Sequence, residues 1–332
     1  MNELAAGTIP FLHTLADIRV PFLDSFFSVL TYLGDEKLFV VIALIIFWCF
    51  SKRGGLYMIT VGFGASSIGQ ALKMVFRIPR PWVLDETMEA RVVPSARESN
   101  LLGEGADGWS FPSGHTLISV GTYGGMAAWF KQKGIRILGI VLAVLIPFSR
   151  MYLGVHTPLD IVLGTLLALA LVLLLRPVFR TTGTKAVRAV LIGNIVLSIA
   201  VLVWMYGALP GLGLQGGDLE LYAHGVKNLW QLVGATIAVE IAFEVDERRL
   251  HFDTRAVWWA QLLKIGGGCI IVLVLQVGIQ KVLGYAKPIT ADNMTRNGII
   301  ACIANLAALT CGMAVWPVTF KWFSRLGDKA KA

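Results

Sequence analysis

Long apolar runs recur along most of this 332-residue chain, and they constrain its fold more than any other feature. Each run approaches or exceeds the roughly 20 residues that a helix needs to cross a bilayer. About nine runs are present, at approximately 36–51, 54–77, 113–131, 135–155, 157–180, 186–209, 224–246, 257–284 and 297–325. Only 15% of the residues are charged and 56% are hydrophobic, which leaves too little polar sequence to coat a soluble core. The sequence therefore predicts an all-α, polytopic membrane protein.

The positions of the polar segments divide the chain into three regions. Residues 1–34 carry apolar side chains at helical spacing, which predicts an amphipathic helix over about 9–33 that lies on the membrane or crosses it as a weakly hydrophobic span. Residues 35–185 form a core that contains the polar motifs described below. Residues 186–332 add about four transmembrane helices whose role the sequence leaves open.

Basic residues indicate the orientation of the helices. Lysine and arginine cluster in alternate loops, with Lys52 and Arg53 in one and Lys131 and Lys133 in the next of the same parity. Because basic loops stay in the cytoplasm, the opposite loops face outward. The net charge of +8 then reflects topology, and no nucleic-acid partner is expected. Short loops and compact ends favour a bacterial plasma membrane.

Three polar stretches interrupt the apolar runs on the outward side. They are "KMVFRIPRP" at 73–81, "PSGH" at 112–115 and "SRMYLGVHTPLD" at 149–160. A helix that only crosses lipid does not need such side chains, and ionisable groups inside spans are by default candidates for function. Loop parity brings the three stretches to one face of the membrane, so we expect them to form one site.

Several side chains of these stretches suit an anion. Lys73, Arg80 and Arg150 supply three cations, and the planar fork of arginine fits phosphate oxygens. Ser113 and the amide of Gly114 stand at a helix start, where free N–H groups and the helix dipole attract negative charge. Taken singly, each has an ordinary explanation, such as a snorkelling cation or a helix cap. Together these five residues, called here the phosphate cradle, predict a phosphate-binding site.

Two histidines and a carboxylate add reactive groups to the phosphate cradle. His115 and His156 are available as nucleophile and acid. Asp160 follows His156 by one helical turn, so its carboxylate can hold the imidazole in one tautomer. A nucleophile, an acid, an orienting carboxylate and an anion-binding cradle describe the chemistry of phosphoryl transfer.

The three stretches also resemble a known signature. The patterns K-x6-RP, PSGH and SR-x5-H-x3-D, which begin at Lys73, Pro112 and Ser149, resemble the three motifs of the type-2 phosphatidic acid phosphatase superfamily, which includes the vanadium haloperoxidases. Every signature position is filled, and the resemblance covers about residues 35–180. It implies a helical-bundle phosphatase core.

The resemblance also implies a role for each reactive group. His156 would attack phosphorus and become a phosphohistidine, while Asp160 orients its ring. His115 would protonate the leaving oxygen and later activate the hydrolytic water, and the phosphate cradle would hold the phosphoryl oxygens. No metal and no other cofactor is expected, because three cations take the place of Mg²⁺ and the sequence has no metal-ligand motif.

These features favour a membrane phosphatase that hydrolyses a lipid phosphate or diphosphate on the extracytoplasmic side. The expected partner is a phosphorylated membrane lipid: undecaprenyl diphosphate or another polyprenyl diphosphate, phosphatidic acid, phosphatidylglycerophosphate or a sphingoid phosphate. A soluble sugar phosphate as substrate and a homodimer are left open. The alternatives are a transporter or flippase that binds lipid phosphate without hydrolysing it, a phosphotransferase, and, against the hydropathy, a haloperoxidase. In the C-terminal region, Glu240 and Lys264 fall at similar depth, and we predict that they pair.

Overall fold

The computed structural model describes residues 1–94 and 108–326, and this part of the chain is mainly helical and contains no strand. The principal helices are α1 (Asn2–Ala6), α2 (Ile9–Asp17), α3 (Pro21–Thr31), α4 (Glu36–Cys49), α5 (Lys52–Phe76), α6 (Gly114–Ser119 continued through a π-helical turn to Gly125–Trp129), α7 (Lys133–Tyr152), α8 (Pro158–Thr181), α9 (Thr184–Leu212), α10 (Gly216–Val245), α11 (Trp258–Val282) and α12 (Met294–Arg325). A helical turn, Pro81–Leu84, and a 3-10 segment, Glu86–Arg91, follow α5. The all-α prediction is confirmed, because each apolar run coincides with one of the helices α4 to α12.

Among the described residues, five helices are long and apolar enough to cross a membrane: α7, α8, α9, α11 and α12. The region after residue 185 contains four long helices, α9 to α12, as the sequence predicts, and three of them meet that criterion. The protein is therefore built as an integral membrane protein.

Residues 9–33 form two helices and not the single helix that the periodicity predicts. Proline disfavours helical backbone at the preceding residue, and Val20, which precedes Pro21, is extended with φ −137° and ψ 150°. The chain therefore breaks between α2 and α3. Helices of 9 and 11 residues are too short to cross a bilayer, so these lengths argue against a span in this region.

The chain folds into two compact units, and each is assembled from two separate parts of the sequence. The first unit consists of Met1–Val40 and Gly64–Arg176, and the second of Val41–Phe63 and Pro177–Ala332. The helices α4, α5 and α8 therefore each contribute residues to both units. The three sequence regions predicted above, with boundaries near residues 34 and 185, stay a prediction.

In the first unit, α2 and α3 pack against segments that adjoin the polar stretches. Phe27 of α3 is buried in one apolar cluster with Tyr152 and Val155, at the end of α7 and in the turn after it. Leu12 of α2 is buried in another cluster with Met88 of the 3-10 segment. The N-terminal helices thus form part of the core that supports the polar stretches.

Hydrogen bonds from the N-terminal helices hold the same segments. The Arg19 guanidinium, in the link between α2 and α3, donates to the carbonyl oxygens of Tyr152 and Arg91. The Tyr152 hydroxyl donates to the Asp24 carboxylate at 2.9 Å. The last turn of α7 is therefore fixed from both its backbone and its side chains.

In the second unit, buried polar side chains join one helix to the backbone of another. The indole Nε1 of Trp48 on α4 donates to the carbonyl of Gly312 on α12 at 2.9 Å. The Asn194 amide on α9 donates to the Thr60 carbonyl on α5 at 3.1 Å. Each such bond satisfies a polar group where no water is available and fixes the register of two helices.

The predicted pairing of Glu240 with Lys264 is wrong. Lys264 is fully buried, and its ammonium donates to the Thr254 carbonyl at 3.1 Å and lies 4.4 Å from the centre of the Phe320 ring. Glu240 lies 3.9 Å from the guanidinium of Arg188 on α9. The loop before α11 folds back, and its Thr254 carbonyl accepts from the lysine. The similar depth of Glu240 and Lys264 in the sequence could not predict this partner.

Candidate active site

The ends of the helices α5 to α8 bring the predicted site residues together in the first unit. Lys73 lies in the last turn of α5, His115 in the first turn of α6, and His156 in the turn between α7 and α8. Arg80, from the first polar stretch, approaches His156, from the third, with 2.9 Å between Nη1 and Nε2. The expected convergence of distant stretches on one site is therefore present in the described residues.

The turn between α7 and α8 holds His156 in one orientation. Gly154 has φ 80°, a left-handed conformation that side chains with a Cβ disfavour. The Arg150 carbonyl accepts the backbone N–H groups of Val155 at 3.1 Å and His156 at 3.3 Å. The His156 side chain is buried, with 2% of its surface exposed. The imidazole is thus fixed by the turn and by the groups packed around it.

Hydrogen bonding defines the tautomer of His156. A guanidinium can only donate, so the contact with Arg80 Nη1 makes Nε2 of His156 an acceptor that carries no proton. The proton is then on Nδ1, which faces the Asp160 carboxylate at 3.4 Å and the Ser110 hydroxyl at 3.2 Å. Asp160 is in turn fixed by the Thr157 amide, which donates to the same carboxylate oxygen at 2.7 Å. The lone pair of Nε2 therefore points toward the arginine.

Two cations of the phosphate cradle are held by carbonyl groups. Arg80 donates from Nε to the Gly108 carbonyl at 3.1 Å and from Nη1 to the Val155 carbonyl at 3.0 Å. The Lys73 ammonium donates to the Trp109 carbonyl at 2.5 Å. Because two of these carbonyls belong to the segment just before PSGH, the loop that leads into α6 positions both cations.

The third cation is held by a residue far from all three stretches. Arg150, 2% exposed, donates from Nη1 to the hydroxyl of Thr31 at 2.8 Å. Thr31 is the last residue of α3 and is fully buried. The N-terminal region therefore contributes a direct hydrogen-bond partner to the phosphate cradle.

The start of α6 combines a cap with a histidine. Ser113 is the N-cap, and its hydroxyl accepts from the Thr116 amide at 3.4 Å, so the helix begins at Gly114. Nε2 of His115 is buried and has no hydrogen-bond partner among the described residues. The ring packs against Gly34, where a Cβ would come 3.2 Å from Cδ2 of His115. A buried nitrogen of this kind is available to a ligand.

Positive charge dominates the electrostatics of the site. Arg80, Arg150 and Lys73 surround His156, while Asp160 is its nearest carboxylate. Burial, followed by these three cations in that order, lowers the pKa of His156 well below 6.5. The imidazole is therefore neutral at pH 7. The three cations outnumber the carboxylate that faces them, so an anion bound there would offset their repulsion.

Sequence reasoning missed Ser110 and Thr31. The Ser110 hydroxyl donates to Asp160 at 2.5 Å, but in the sequence it is one serine between two aromatic residues. Thr31 precedes the first motif by more than forty residues and matches no pattern. Only the position of Ser110 in the stretch that leads to PSGH could have drawn attention to it.

Comparisons with known protein families match two parts of the chain. Residues 54–184 match the PAP2 superfamily, and residues 230–329 match the transmembrane extension of PAP2 superfamily phosphatases. No solved structure matches the chain significantly. The first match contains the three polar stretches, and the second lies in the region for which the sequence indicated no role.

Three relatives carry names of lipid phosphatases. The undecaprenyl-diphosphatase of Sulfolobus acidocaldarius is 30% identical over 45% of this chain and 67% of its own length. The phosphatidylglycerophosphatase B of Bacillus subtilis is 28% identical over 48% of this chain and 76% of its own. A Dictyostelium discoideum protein named "Probable sphingosine-1-phosphate phosphatase" is 27% identical over half of this chain, which spans only 41% of that relative. The chain therefore belongs to the PAP2 superfamily and carries the transmembrane extension of its phosphatases, as the three motifs predict.

Proposed function

We propose that the protein is a membrane phosphatase that hydrolyses a lipid phosphate or diphosphate through a phosphohistidine at His156, without a metal ion. The observation that carries the proposal is the state of His156, whose unprotonated Nε2 faces the Arg80 guanidinium while Nδ1 faces Asp160. A neutral imidazole with a fixed lone pair beside an anion-binding group is the arrangement that nucleophilic attack on phosphorus needs.

In the first step, Nε2 of His156 attacks phosphorus as the P–O bond to the leaving group breaks. The entering phosphoryl group takes over the hydrogen bond from Arg80, which frees the Nε2 lone pair. The new N–P bond places positive charge on the imidazole, and the Asp160 carboxylate stabilises it. The leaving oxygen takes a proton from the imidazolium form of His115, which the negative charge of the bound phosphate stabilises against burial and the neighbouring cations.

In the second step, water hydrolyses the phosphohistidine. His115, now neutral, accepts a proton from the water as its oxygen bonds to phosphorus, and the N–P bond breaks. Inorganic phosphate leaves, and both histidines return to their starting states. Throughout, the phosphate cradle stabilises the charge that develops on the phosphoryl oxygens, and three cations supply the charge for which many phosphoryl-transfer enzymes use Mg²⁺.

The substrate and the membrane face are argued from the surroundings of the site. Apolar helices adjoin the site residues along the chain, so a lipid can keep its tail in the bilayer while its head group enters. The relatives are named for undecaprenyl diphosphate, phosphatidylglycerophosphate and sphingosine 1-phosphate, which supports the same class here. Basic loops of opposite parity support a site on the extracytoplasmic side of a cell membrane, which we infer to be a bacterial plasma membrane.

The test is phosphate release from a panel of lipid monophosphates and diphosphates by purified protein in detergent, with and without EDTA. We expect release that EDTA does not change and that His156→Ala reduces at least about 10⁴-fold. His251→Asn is the matched control, because His251 lies in the second unit with a left-handed backbone that asparagine tolerates.

Failure to release phosphate from any member of the panel by folded wild-type protein would contradict the proposal and favour the transporter. Release that EDTA abolishes would contradict metal independence alone. Transfer of phosphate to an added alcohol in place of water would identify a phosphotransferase that uses the same intermediate.

A further inference from the structure

Ser110 connects the two residues that orient the nucleophile, although it belongs to none of the three motifs. Its hydroxyl oxygen lies 2.5 Å from Oδ2 of Asp160 and 3.2 Å from Nδ1 of His156. The direct contact between Nδ1 and Oδ2 is longer, at 3.4 Å. Ser110, Asp160 and His156 are at most 2% exposed, so water does not compete for these bonds.

The donors and acceptors of this trio fix the direction of the hydrogen bonds that run through Ser110. An ionised carboxylate only accepts, so the single hydroxyl proton of Ser110 goes to Oδ2 of Asp160. The lone pairs of the hydroxyl are then free to accept from Nδ1–H of His156, which is protonated because Nε2 accepts from Arg80. We propose that Ser110 is a positioning residue of the proposed phosphatase, and that Asp160 orients His156 chiefly through the Ser110 hydroxyl.

The backbone of Ser110 has a separate structural task. Its amide donates to the Ile78 carbonyl at 2.8 Å, a bond that alanine at this position keeps. Oδ2 of Asp160 likewise keeps the bond from the Thr157 amide when the hydroxyl is removed. Loss of the hydroxyl therefore leaves the backbone of the site supported and removes the strongest link between the carboxylate and the ring.

This inference rests on the proposed function and makes a distinct kinetic prediction. Ser110→Ala should lower kcat about 10- to 100-fold, the usual cost of removing a group that orients a functional histidine. KM should change less than about threefold, because the phosphate cradle is untouched. Ser110→Cys keeps the shape of the side chain but replaces a strong hydrogen-bonding group by a weak one, so it should lose activity as well.

The experiment measures kcat and KM for these two variants, for Asp160→Asn and for the double variant Ser110→Ala/Asp160→Asn. Ser119→Ala is the matched control, because Ser119 is a buried serine of α6 whose hydroxyl bonds only to the Thr116 carbonyl in the described structure. If Ser110 acts through Asp160, Ser110→Ala costs less than about twofold in the Asp160→Asn background.

Each other outcome overturns the inference. Equal losses in both backgrounds mean an independent, structural effect, and full activity of Ser110→Cys means that the side chain only fills space. Unchanged kcat in Ser110→Ala with an active wild type refutes the relay while the phosphatase proposal stands. An inactive wild type refutes both.

Discussion

The first unit gathers buried polar side chains at one place, whereas the second unit distributes them singly between helices. In the first unit, Ser110, His156 and Asp160 are in contact. The cations near His156 come from the end of α5, from the segment after it and from the end of α7. In the second unit, Trp48 and Asn194 each bond to one backbone carbonyl of a neighbouring helix. Buried polar groups in this protein therefore occur in two arrangements, gathered at one candidate site or placed singly between helices.

The contrast gives a rule for the effects of substitutions. A polar group that belongs to the site should change activity far more than stability, since its neighbours remain packed. A polar group that joins helices should change stability and leave the activity of the folded molecules unaltered. Four substitutions examine this rule, beginning with the largest expected effect.

Asp160→Asn should lower kcat/KM about 10³- to 10⁴-fold with little change in Tm. An amide in place of the carboxylate no longer stabilises the positive imidazole and favours the wrong tautomer of His156. Steady-state phosphate release and thermal unfolding in detergent measure the two effects. Asp292→Asn, on an exposed aspartate, is the control. A loss below tenfold would remove Asp160 from the proposed mechanism.

Thr31→Val should lower kcat/KM about 10- to 100-fold. A hydrogen bond to a charged group contributes about 1.5–3 kcal/mol, and this substitution leaves the Arg150 guanidinium without the Thr31 hydroxyl at 2.8 Å. Thr14→Val is the control, because the Thr14 hydroxyl bonds to a carbonyl of its own helix on an exposed surface. Thr31→Ser should restore most of the activity. Equal kinetics for Thr31→Val and wild type would show that the N-terminal region does not support the site.

The pH dependence of kcat/KM should show that the active form of the enzyme has a neutral His156. Because burial and the cations depress its pKa, protonation should end the reaction only well below pH 6.5. Arg80 is the first of the contributing cations, so in Arg80→Gln the pKa rises and the acid limb of kcat/KM moves to higher pH. With the same substrate in both measurements, titration of the substrate cancels. Arg77→Gln should leave the limb in place, and an identical limb in Arg80→Gln would contradict the assignment.

Trp48→Phe should reduce stability by about 1–3 kcal/mol and leave kcat of the folded fraction unchanged. The Gly312 carbonyl loses its indole donor in a buried position, which carries the cost of an unsatisfied polar group. Trp322→Phe, on a side chain that is 59% exposed, should change neither quantity. A loss of kcat in Trp48→Phe, measured at equal folded fraction, would contradict the rule that polar groups joining helices in the second unit affect only stability.

The sequence predicted the parts of the fold that depend on apolar length and the parts of the site that depend on motifs. Each run of apolar residues became a helix because the backbone must satisfy its own hydrogen bonds in a membrane. The motifs supplied all eight site residues proposed from the sequence, and the described structure brings His156 together with Arg80 and Asp160. Positional spacing, such as the step of four positions from His156 to Asp160, carried this information.

Contacts that depend on the path of the chain could not be predicted. Ser110 and Thr31 were identified only by their hydrogen bonds to Asp160 and Arg150, and their local sequence does not indicate these partners. The error on Lys264 has the same origin, because the fold of the preceding loop decided its partner. The N-terminal break at Pro21 was different, since its signal was present in the sequence and a long apolar periodicity obscured it.

The bond between Trp48 and Gly312 has a consequence for the order of biosynthesis. Its two ends are 264 residues apart, and at the usual 5–20 residues per second a ribosome needs roughly 13–53 s to make the chain between them. The first unit, by contrast, has all its residues once Arg176 is made. All residues of the first unit are therefore made well before α12, and during this interval the Trp48 indole on α4 has not yet gained its carbonyl partner.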